Sequence, residues 1–210
     1  EITLVELQPN VLPQAFDPDV AVEAENILKE RGIKLLTGYG VREIVGHKQV
    51  EAVKVEHGDK MKGLKADAVI LSMGYKPNVD LAEDLKEITF NRDGFIKVDE
   101  YMRTDQPDVF AVGDCAEKRD FFTRKRSTAM LASIACAEAR VAGMNLYKLS
   151  TLKTIGGTIA IFSTALNGTG FGVAGLTETN ARSEGFDVIT GIFSGIDRHP
   201  GMLNHPHKQV

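Results

Sequence analysis

The chain has 210 residues, of which 43% are hydrophobic and 26% are charged, and its formal net charge at pH 7 is −4. This is the composition of an ordinary globular protein, long enough for one large domain or two small ones. A net charge of this size and sign gives no field that would hold nucleic acid or an anionic membrane, so neither is expected as a partner.

The first predicted unit is a strand, a helix and a second strand. Ile2–Leu7 alternates and is rich in β-formers, and Ile33–Leu36 is the next strand. Between them, Asp17 and Pro18 begin a helix as N-cap and first helical residue, and Gly32 ends it. A strand, helix and strand of this length form a right-handed parallel crossover.

An acidic residue, Glu6, lies at the end of the first strand of this unit. In a dinucleotide-binding fold, the acid at this place holds the adenosine ribose hydroxyls. A surface acid at a strand end is the alternative interpretation. The glycine-rich phosphate loop, expected about 20 residues upstream of such an acid, would lie before residue 1. No Arg or Lys follows Glu6 closely, which favours NADH over NADPH because a 2′-phosphate needs a cation.

The next segment contains a predicted antiparallel hairpin and a longer apolar run. Val41–Val45 and Val50–Glu56 form the hairpin, and Ala68–Ser72 is predicted as a further strand. This strand ends close to Gly74, whose lack of a Cβ lets another group approach the backbone. Pro77 then turns the chain.

A second apolar run also ends at a glycine. Phe95–Val98 is predicted as a short strand, and Val109–Val112 as a buried one that leads directly into Gly113 and Asp114. The last residues of such a strand emerge at the carboxyl edge of a sheet, where open α/β sheets bind ligands. There Asp114 would offer a carboxylate to hydroxyl groups. A plain Gly-Asp turn after a buried strand is the alternative interpretation.

The order of these features resembles the FAD-dependent pyridine nucleotide-disulfide oxidoreductases, in the branch of NADH oxidases and CoA-disulfide reductases. Thr104–Cys115 has a Thr, five residues, a short apolar run and Gly-Asp, which is similar to the second flavin motif of that family. Gly74–Asn78 resembles the strand end that closes the family's NAD domain. The resemblance implies that Asp114 hydrogen-bonds the ribityl chain of FAD and that Gly113 allows close approach to the backbone.

An alanine-rich helix is predicted behind this motif, over Ser127–Leu146. In the family, a helix here points its N-terminus at the flavin pyrimidine, where partial positive charge favours electron-rich oxygen. The family pattern Ala-Asn-Lys-x-Gly-Arg is only partly kept, as Ala135–Arg140. The resemblance therefore implies these cofactor-binding residues: Glu6, Gly74, Gly113, Asp114, Ala132, Ser133 and Ala135.

From Leu149 onward the chain is rich in Gly and Thr and poor in charge. Gly170–Gly175 matches the glycine pattern of dinucleotide loops, but the helix after it, Thr177–Glu184, is short, so no such loop is predicted here. Gly-Leu-Thr-Glu at 175–178 instead resembles the start of the family's C-terminal interface domain. We expect this truncated domain to leave apolar surface without a partner in the chain.

The resemblance implies an α/β fold with Rossmann-like FAD- and NAD(P)-binding layers, an inserted antiparallel hairpin and the start of an α+β interface domain. The predicted domains are the C-terminal part of the NAD-binding domain over residues 1–77, the C-terminal part of the FAD-binding domain over residues 78–148 and a truncated interface or dimerisation domain over residues 149–210. The implied reaction passes a hydride from NADH to FAD, and electrons then go to oxygen, a peroxide or a disulfide. A small-molecule electron acceptor and, at full length, a homodimer are expected. Because the family's redox-active Cys lies in an N-terminal segment absent here, no catalytic residue is named, and the chain alone is expected to retain little FAD.

The remaining chemistry-bearing residues are interpreted without a site. Cys115 and Cys136 lack Cys-x-x-Cys spacing, which predicts buried free thiols and a reducing, cytoplasmic setting. The sequence His205–His207, with His199 nearby, makes a poor chelate, so no metal is expected. The modest apolar content of Thr154–Thr177 predicts no membrane-spanning helix. A solvated loop is predicted for five basic residues: Lys118, Arg119, Arg124, Lys125 and Arg126.

Two alternatives from other functional classes remain. A ferredoxin or rubredoxin reductase, whose partner is a protein, has a similar architecture but lacks the segment after residue 150. A non-catalytic NAD-binding or dimerisation module is the other, and it would lack flavin colour. Within the NADH oxidase branch, many CoA-disulfide reductases carry a Tyr after a His in the interface domain. That Tyr is not found at His199–Met202, which counts against CoA disulfide as the acceptor.

Overall fold

The computed structural model describes residues 1–198 and 204–210. Its internal contacts divide the chain into two compact units, Glu1–Gly175 and Leu176–Val210. The finer division predicted above, with boundaries after residues 77 and 148, stays a prediction.

The first unit opens with the predicted parallel crossover. Strand β1 (Ile2–Glu6) is followed by helix α1 (Pro18–Glu30) and strand β2 (Ile33–Thr37). The two strands pair in parallel along their whole length, from the first residue of each to the last. Asp17 is the N-cap in an extended conformation, and Gly32 follows the helix with φ of +76°, the left-handed region that a residue without a Cβ enters at low cost.

An antiparallel sheet of three strands follows. It consists of β3 (Gly40–Gly46), β4 (Val50–His57) and β5 (Lys60–Lys65), paired in chain order. The first two strands confirm the predicted hairpin. The third was missed by pattern reasoning because its sequence, Lys-Met-Lys-Gly-Leu-Lys, contains no β-branched or aromatic residue.

The predicted strand Ala68–Ser72 is wrong. The chain leaves β5 and runs on without pairing to any strand of the described residues. Its apolar side chains face solvent, with Ile70 93% and Leu71 61% exposed. An apolar run becomes a strand only where a neighbour takes up its backbone N–H and C=O groups, and the described residues offer none here.

The two short strands predicted further along are reduced to isolated bridges. Within Phe95–Val98, only Ile96 bridges, to Phe90 and Ala116, and within Val109–Val112 only Phe110 bridges, to Arg103. The burial expected of Val109–Val112 is only partly present, since Ala111 is buried and the other three residues are half-buried. Together with the short helix α2 (Asp80–Glu83), this region forms a hydrophobic cluster of Ala82, Ile88, Ile96, Ala111 and Ala116.

A tight turn and a hairpin precede the main helix of this region. A 3₁₀ turn spans Gly113–Cys115, and strands β6 (Lys118–Arg119) and β7 (Arg126–Ser127) pair antiparallel. Helix α3 covers Ala132–Met144. The prediction that the helix begins at Ser127 is wrong, because Ser127 pairs with Lys118 in the hairpin and its backbone is therefore extended.

The first unit ends in a hairpin of β8 (Ile161–Leu166) and β9 (Thr169–Ala174). The glycine-rich segment Gly170–Gly175 therefore lies mostly in a paired strand, as expected for a sequence that is not a phosphate loop. Phe171 of this strand packs edge-on against Phe16, with ring centroids 6.1 Å apart. These two rings belong to a second buried cluster, completed by Val11 and Ala24.

The second unit contains helix α4 (Glu178–Ser183) and the paired strands β10 (Gly195–Ile196) and β11 (Lys208–Gln209). Thr177 caps the helix by accepting a hydrogen bond from the Asn180 N–H at 3.1 Å, and Gly185 with φ of +85° follows its end. This confirms the predicted short helix. Between these elements Ile189, Ile192 and Phe193 are at least 82% exposed.

Candidate functional site

Gly113 is the most constrained residue of the Gly-Asp motif. It is buried, with φ of +77°, and a Cβ placed on it would lie 3.3 Å from the Cβ of Ala135 on α3. A side chain here would therefore meet both backbone strain and a packed helix. The absence of a side chain lets the turn and the helix lie in direct contact.

Both polar backbone groups of Gly113 are bound by charged side chains. Its N–H donates to Oε2 of Glu138 at 2.7 Å, and its carbonyl accepts from the ammonium group of Lys118. Lys118 also donates to the Ala116 carbonyl at 3.0 Å, and its Nζ lies 3.7 Å from Oε1 of Glu138. The Lys118 and Glu138 side chains are 1% and 2% exposed, so this ion pair is fully buried behind the motif.

Burial raises the pKa of Glu138 above its usual value, because a carboxylate loses its hydration there. The Gly113 N–H and the nearby Lys118 cation act in the opposite direction and offset part of this shift. The pKa of Glu138 therefore depends on its hydrogen bond to the Gly113 N–H and on its ion pair with Lys118.

Asp114 stands on the open side of the same turn. Its side chain is exposed, whereas Gly113 before it is buried. Cys115, the next residue, is half-buried and its thiol lies 3.4 Å from the Val112 carbonyl. The turn thus presents one carboxylate outward, at the end of a buried apolar segment, in the orientation expected of an acceptor for ligand hydroxyls.

The first turn of α3 lies beside the motif. Ala132 and Ser133 are exposed and Ala135 is half-buried, and among the described residues no side chain caps the N-terminus at Leu131. The first N–H groups of a helix have no partner within it, and the helix dipole makes this end favourable for electron-rich oxygen. Small side chains here leave room for a flat ring to approach. The structure thus brings Ala135 against Gly113, the residue before Asp114, and the cofactor role of these residues stays a prediction.

Glu6 lies in a different neighbourhood. It is the last residue of β1, half-buried, and its Oε1 accepts the Gln8 N–H at 2.8 Å. Its carbonyl accepts the Tyr39 N–H at 3.0 Å, and the Tyr39 ring lies against His57 with centroids 4.9 Å apart. Among the described elements, β1 contacts β2 and β3 and not the turn at Gly113. A carboxylate at the carboxyl end of a parallel strand is nonetheless the arrangement predicted for a ribose ligand.

Gly74 has the positive φ that favours glycine, but no other group packs against it. Its φ is +88°, and a Cβ placed on it would meet nothing within 4 Å. The residues around it are exposed, with Met73 at 75% and Tyr75 at 72%. Its cofactor role stays a prediction.

Two residues of the site were not predicted. Lys118 was assigned to a solvated basic loop, which is wrong because it is buried and bonded to the Gly113 carbonyl. Glu138 is not among the predicted site residues, although it shares the helical face of Ile134, Val141 and Ala142, all of which are buried. A carboxylate on the apolar face of a helix is the signal that could have found it, because such a group needs a buried partner.

The rest of the basic cluster lines an open cavity of about 710 Å³. Arg124 contacts the Phe121 ring and the Gly156 carbonyl, and Arg126 lies 3.5 Å from Asp93. Opposite charges are thus mixed within this cavity. The cavity lining comprises Asp93, Glu117, Arg119, Arg124, Lys125, Arg126 and Thr128.

The cysteines and histidines need one correction. Both thiols are predicted to be buried. This prediction is wrong for Cys136, which is exposed on α3, and only partly right for Cys115, which is half-buried. Cys136 lies on a helix face that the described residues leave open. His199 lies outside the described residues. Within the described residues no cluster of three or more metal-ligating side chains occurs.

No helix in residues 1–198 and 204–210 has both the length and the apolar character needed to span a bilayer.

Comparison with known proteins finds one matching family and several relatives of similar sequence. Residues 1–139 match the family described as pyridine nucleotide-disulphide oxidoreductase. The chain is 32% identical over 212 residues to the NADH oxidase of Methanocaldococcus jannaschii, a match that covers 96% of this chain and 44% of that protein. It is also 32% identical over 203 residues to the NAD(P)H coenzyme A polysulfide/persulfide reductase of Pyrococcus horikoshii, covering 95% of this chain and 44% of that protein.

The fold is similar to that of solved relatives. The NAD-dependent persulfide reductase from A. fulgidus superposes with a TM-score of 0.86 at 30% identity, over 99% of this chain and 37% of that one. This likeness confirms the predicted α/β fold. The chain spans 44% of the length of each of these two curated relatives, so each match concerns less than half of the relative.

Proposed function

The chain belongs to the pyridine nucleotide-disulphide oxidoreductase family, and from this premise we propose that the protein is a flavoprotein oxidoreductase that passes a hydride from NADH to FAD. Electrons then go on to oxygen, a peroxide or a disulfide, as in an NADH oxidase or CoA-disulfide reductase. The observation that carries the proposal is the Gly113–Asp114 turn, in which a buried glycine in contact with α3 presents an exposed carboxylate.

The residues of this turn fit a flavin. FAD, when bound, supplies the hydride-accepting and electron-donating chemistry, which no protein side chain provides. Asp114 accepts hydrogen bonds from hydroxyl groups, as the ribityl chain requires. The N–H groups at Ala132 and Ser133 favour the electron-rich oxygens of the ring. Gly113 and Ala135 are small at the contact between them, so the first turn of α3 packs directly against the turn that carries Asp114.

Binding of NADH is assigned to the β1–β2 unit. Glu6 holds the adenosine ribose hydroxyls from the end of β1, where its carboxylate is half-buried. Gly74 gives close access to the backbone. No cation follows Glu6 in the next residues, which favours NADH over NADPH.

The proposal also includes the cellular compartment and the oligomeric state of the protein. Cys115 and Cys136 are both free thiols, which is typical of a reducing, cytoplasmic compartment. The exposed residues Ile189, Ile192 and Phe193 of the second unit support a homodimer at full length, since solvent-exposed apolar surface of this kind favours association. The electron acceptor is a small molecule, and neither nucleic acid nor a membrane is a partner.

The first test is the flavin content of the protein at its full natural length. We expect a yellow protein whose visible flavin bands bleach on addition of NADH without oxygen. Asp114→Ala should raise the dissociation constant for FAD by about tenfold or more, because a hydrogen bond to a charged group is lost. Asp67→Ala, which removes an exposed carboxylate elsewhere, is the matched control and should bind FAD normally.

The outcomes separate the alternatives. A protein without flavin bands that oxidises no NADH would be a non-catalytic module, and the proposal would be wrong. Turnover with oxygen, polysulfide and CoA disulfide compared side by side identifies the acceptor. NADH oxidation that requires a ferredoxin or rubredoxin would favour the electron-transfer alternative.

A further inference from the structure

We infer that Glu138 is a positioning residue of the flavin site, which holds the Gly113 peptide so that Asp114 faces the cofactor. The inference rests on the proposed function, because it assigns a task within that same site. Glu138 is 1% exposed and lies behind the turn, so it acts through Gly113 and not by touching the cofactor.

The geometry that carries the inference is the double restraint on one glycine. Glu138 accepts the Gly113 N–H at 2.7 Å, and Lys118 donates to the Gly113 carbonyl. The N–H and the C=O of Gly113 belong to two successive peptide units, one on each side of its Cα. The bonds from Glu138 and Lys118, together with the Ala116 N–H that donates to the same carbonyl at 3.1 Å, therefore restrain both peptide units and fix the direction in which the chain leaves Gly113. That direction sets where the Asp114 carboxylate lies.

The charge of the pair argues for a role in geometry over one in stability. Two buried, oppositely charged groups lose hydration that their attraction only partly restores, so apolar residues of similar size often stabilise a fold as well or better. An apolar pair at 118 and 138, however, would remove the acceptor of the Gly113 N–H and leave the Gly113 carbonyl with the Ala116 N–H in place of two donors. The ion pair is therefore suited to holding this turn in its left-handed conformation, with φ of +77°.

A purely structural role for Glu138 is the competing interpretation, and variants of α3 distinguish the two. Glu138→Ala removes the acceptor of the Gly113 N–H, whereas Glu138→Gln keeps an oxygen that can accept it. Val141→Ala is the matched control, because Val141 is buried on the same face, one turn further along, and has no hydrogen bond to the turn. A fourth variant, Lys118→Met with Glu138→Met, replaces the ion pair by an apolar one of similar volume.

The test measures the dissociation constant for FAD and the flavin absorption spectrum in the protein at its full natural length. We expect Glu138→Ala to raise the dissociation constant by about tenfold and to shift the flavin bands, with Glu138→Gln close to the unsubstituted protein. Val141→Ala should lower stability without either effect. The double methionine variant should fold stably and yet bind FAD at least about tenfold more weakly.

A second readout needs no cofactor. The Gly113 amide proton, bonded to a carboxylate, should show a distinctive NMR shift and slow exchange with solvent in the 210-residue chain. Both should be lost in Glu138→Ala and in the double methionine variant and kept in Val141→Ala.

The possible failures are distinguishable. Absence of flavin from the unsubstituted protein overturns the proposed function and this inference with it. Flavin bound equally well by the double methionine variant and the unsubstituted protein overturns the inference alone. If Glu138→Ala cannot be purified, FAD binding and the Gly113 amide measurement in the double methionine variant decide, with Val141→Ala as the control.

Discussion

Two apolar runs of this chain end at a glycine with positive φ, and their surroundings differ. Gly113 is buried against α3 and bound at both of its polar groups by Glu138 and Lys118. Gly74 lies in an exposed stretch where nothing comes within 4 Å of its missing Cβ. The same local pattern is therefore packed against a helix at Gly113 and exposed to solvent at Gly74. Contacts with distant residues make this difference, since the two glycines share their backbone region.

The largest expected effect comes from a charge placed in each run. Ala111→Asp puts an unpaired carboxylate in the cluster around Ile96 and Ala116 and should lower the free energy of unfolding by about 4 kcal/mol. Ile70→Asp, at a side chain 93% exposed, should change it by less than about 0.5 kcal/mol. Urea denaturation of the 210-residue variants measures both. Equal losses would show that the run near Gly74 is packed in solution.

A smaller effect is expected from the glycines themselves. Gly113→Ala meets the strain of positive φ and the Ala135 Cβ at 3.3 Å, and should cost about 2 kcal/mol. Gly74→Ala meets only the strain and should cost about 1 kcal/mol. Thermal or urea unfolding of the two variants against the unsubstituted chain measures the difference. A larger loss for Gly74→Ala than for Gly113→Ala would show that α3 does not pack closely against Gly113 in solution.

The smallest expected effect is a pH dependence of the free energy of unfolding that comes from Glu138, the residue bound to the Gly113 N–H. Because burial raises the pKa of Glu138 above 4.5, the folded chain keeps a proton on this carboxyl at a pH where the unfolded chain has released it. The contribution of Glu138 to the free energy of unfolding therefore falls as pH rises from 4.5 through the raised value.

Glu138→Gln removes this titration. The stability of the Gln variant relative to the unsubstituted chain should increase as pH rises through that window, as measured by urea denaturation at several pH values. Gly74→Ala serves as the control and should show no such trend. A relative stability of Glu138→Gln that is flat or falls with pH would count against a raised pKa.

The sequence pattern predicts the structure correctly where residues close together in the chain decide it. The α1 helix begins at Asp17 and Pro18 and is followed by Gly32, as predicted, because caps and backbone preferences act within a few residues. The short α4 helix after Thr177 follows the same logic. The Gly-Asp turn and its neighbouring small residues on α3 were also found from the sequence, through the spacing of a known motif.

The sequence pattern gives a wrong prediction where contacts with residues distant in the chain decide the local structure. Ala68–Ser72 has the composition of a strand, but no described strand pairs with it. Ser127 was read as helical, although its pairing with Lys118 keeps it extended. Lys118 was read as solvated, because a basic residue in a basic cluster is usually exposed and only the fold shows Glu138 opposite it.

The sequence by itself determined the crossover from β1 to β2, because periodicity and capping act locally, and its resemblance to a known family implied the α/β class and the candidate residues Glu6, Gly113 and Asp114. Only the tertiary structure decided which apolar runs are supported and what holds the Gly-Asp turn in place. The reason is physical. A buried charge such as Glu138 is tolerable only beside its partner, and that partner lies 20 residues away in the chain, 3.7 Å away in the fold.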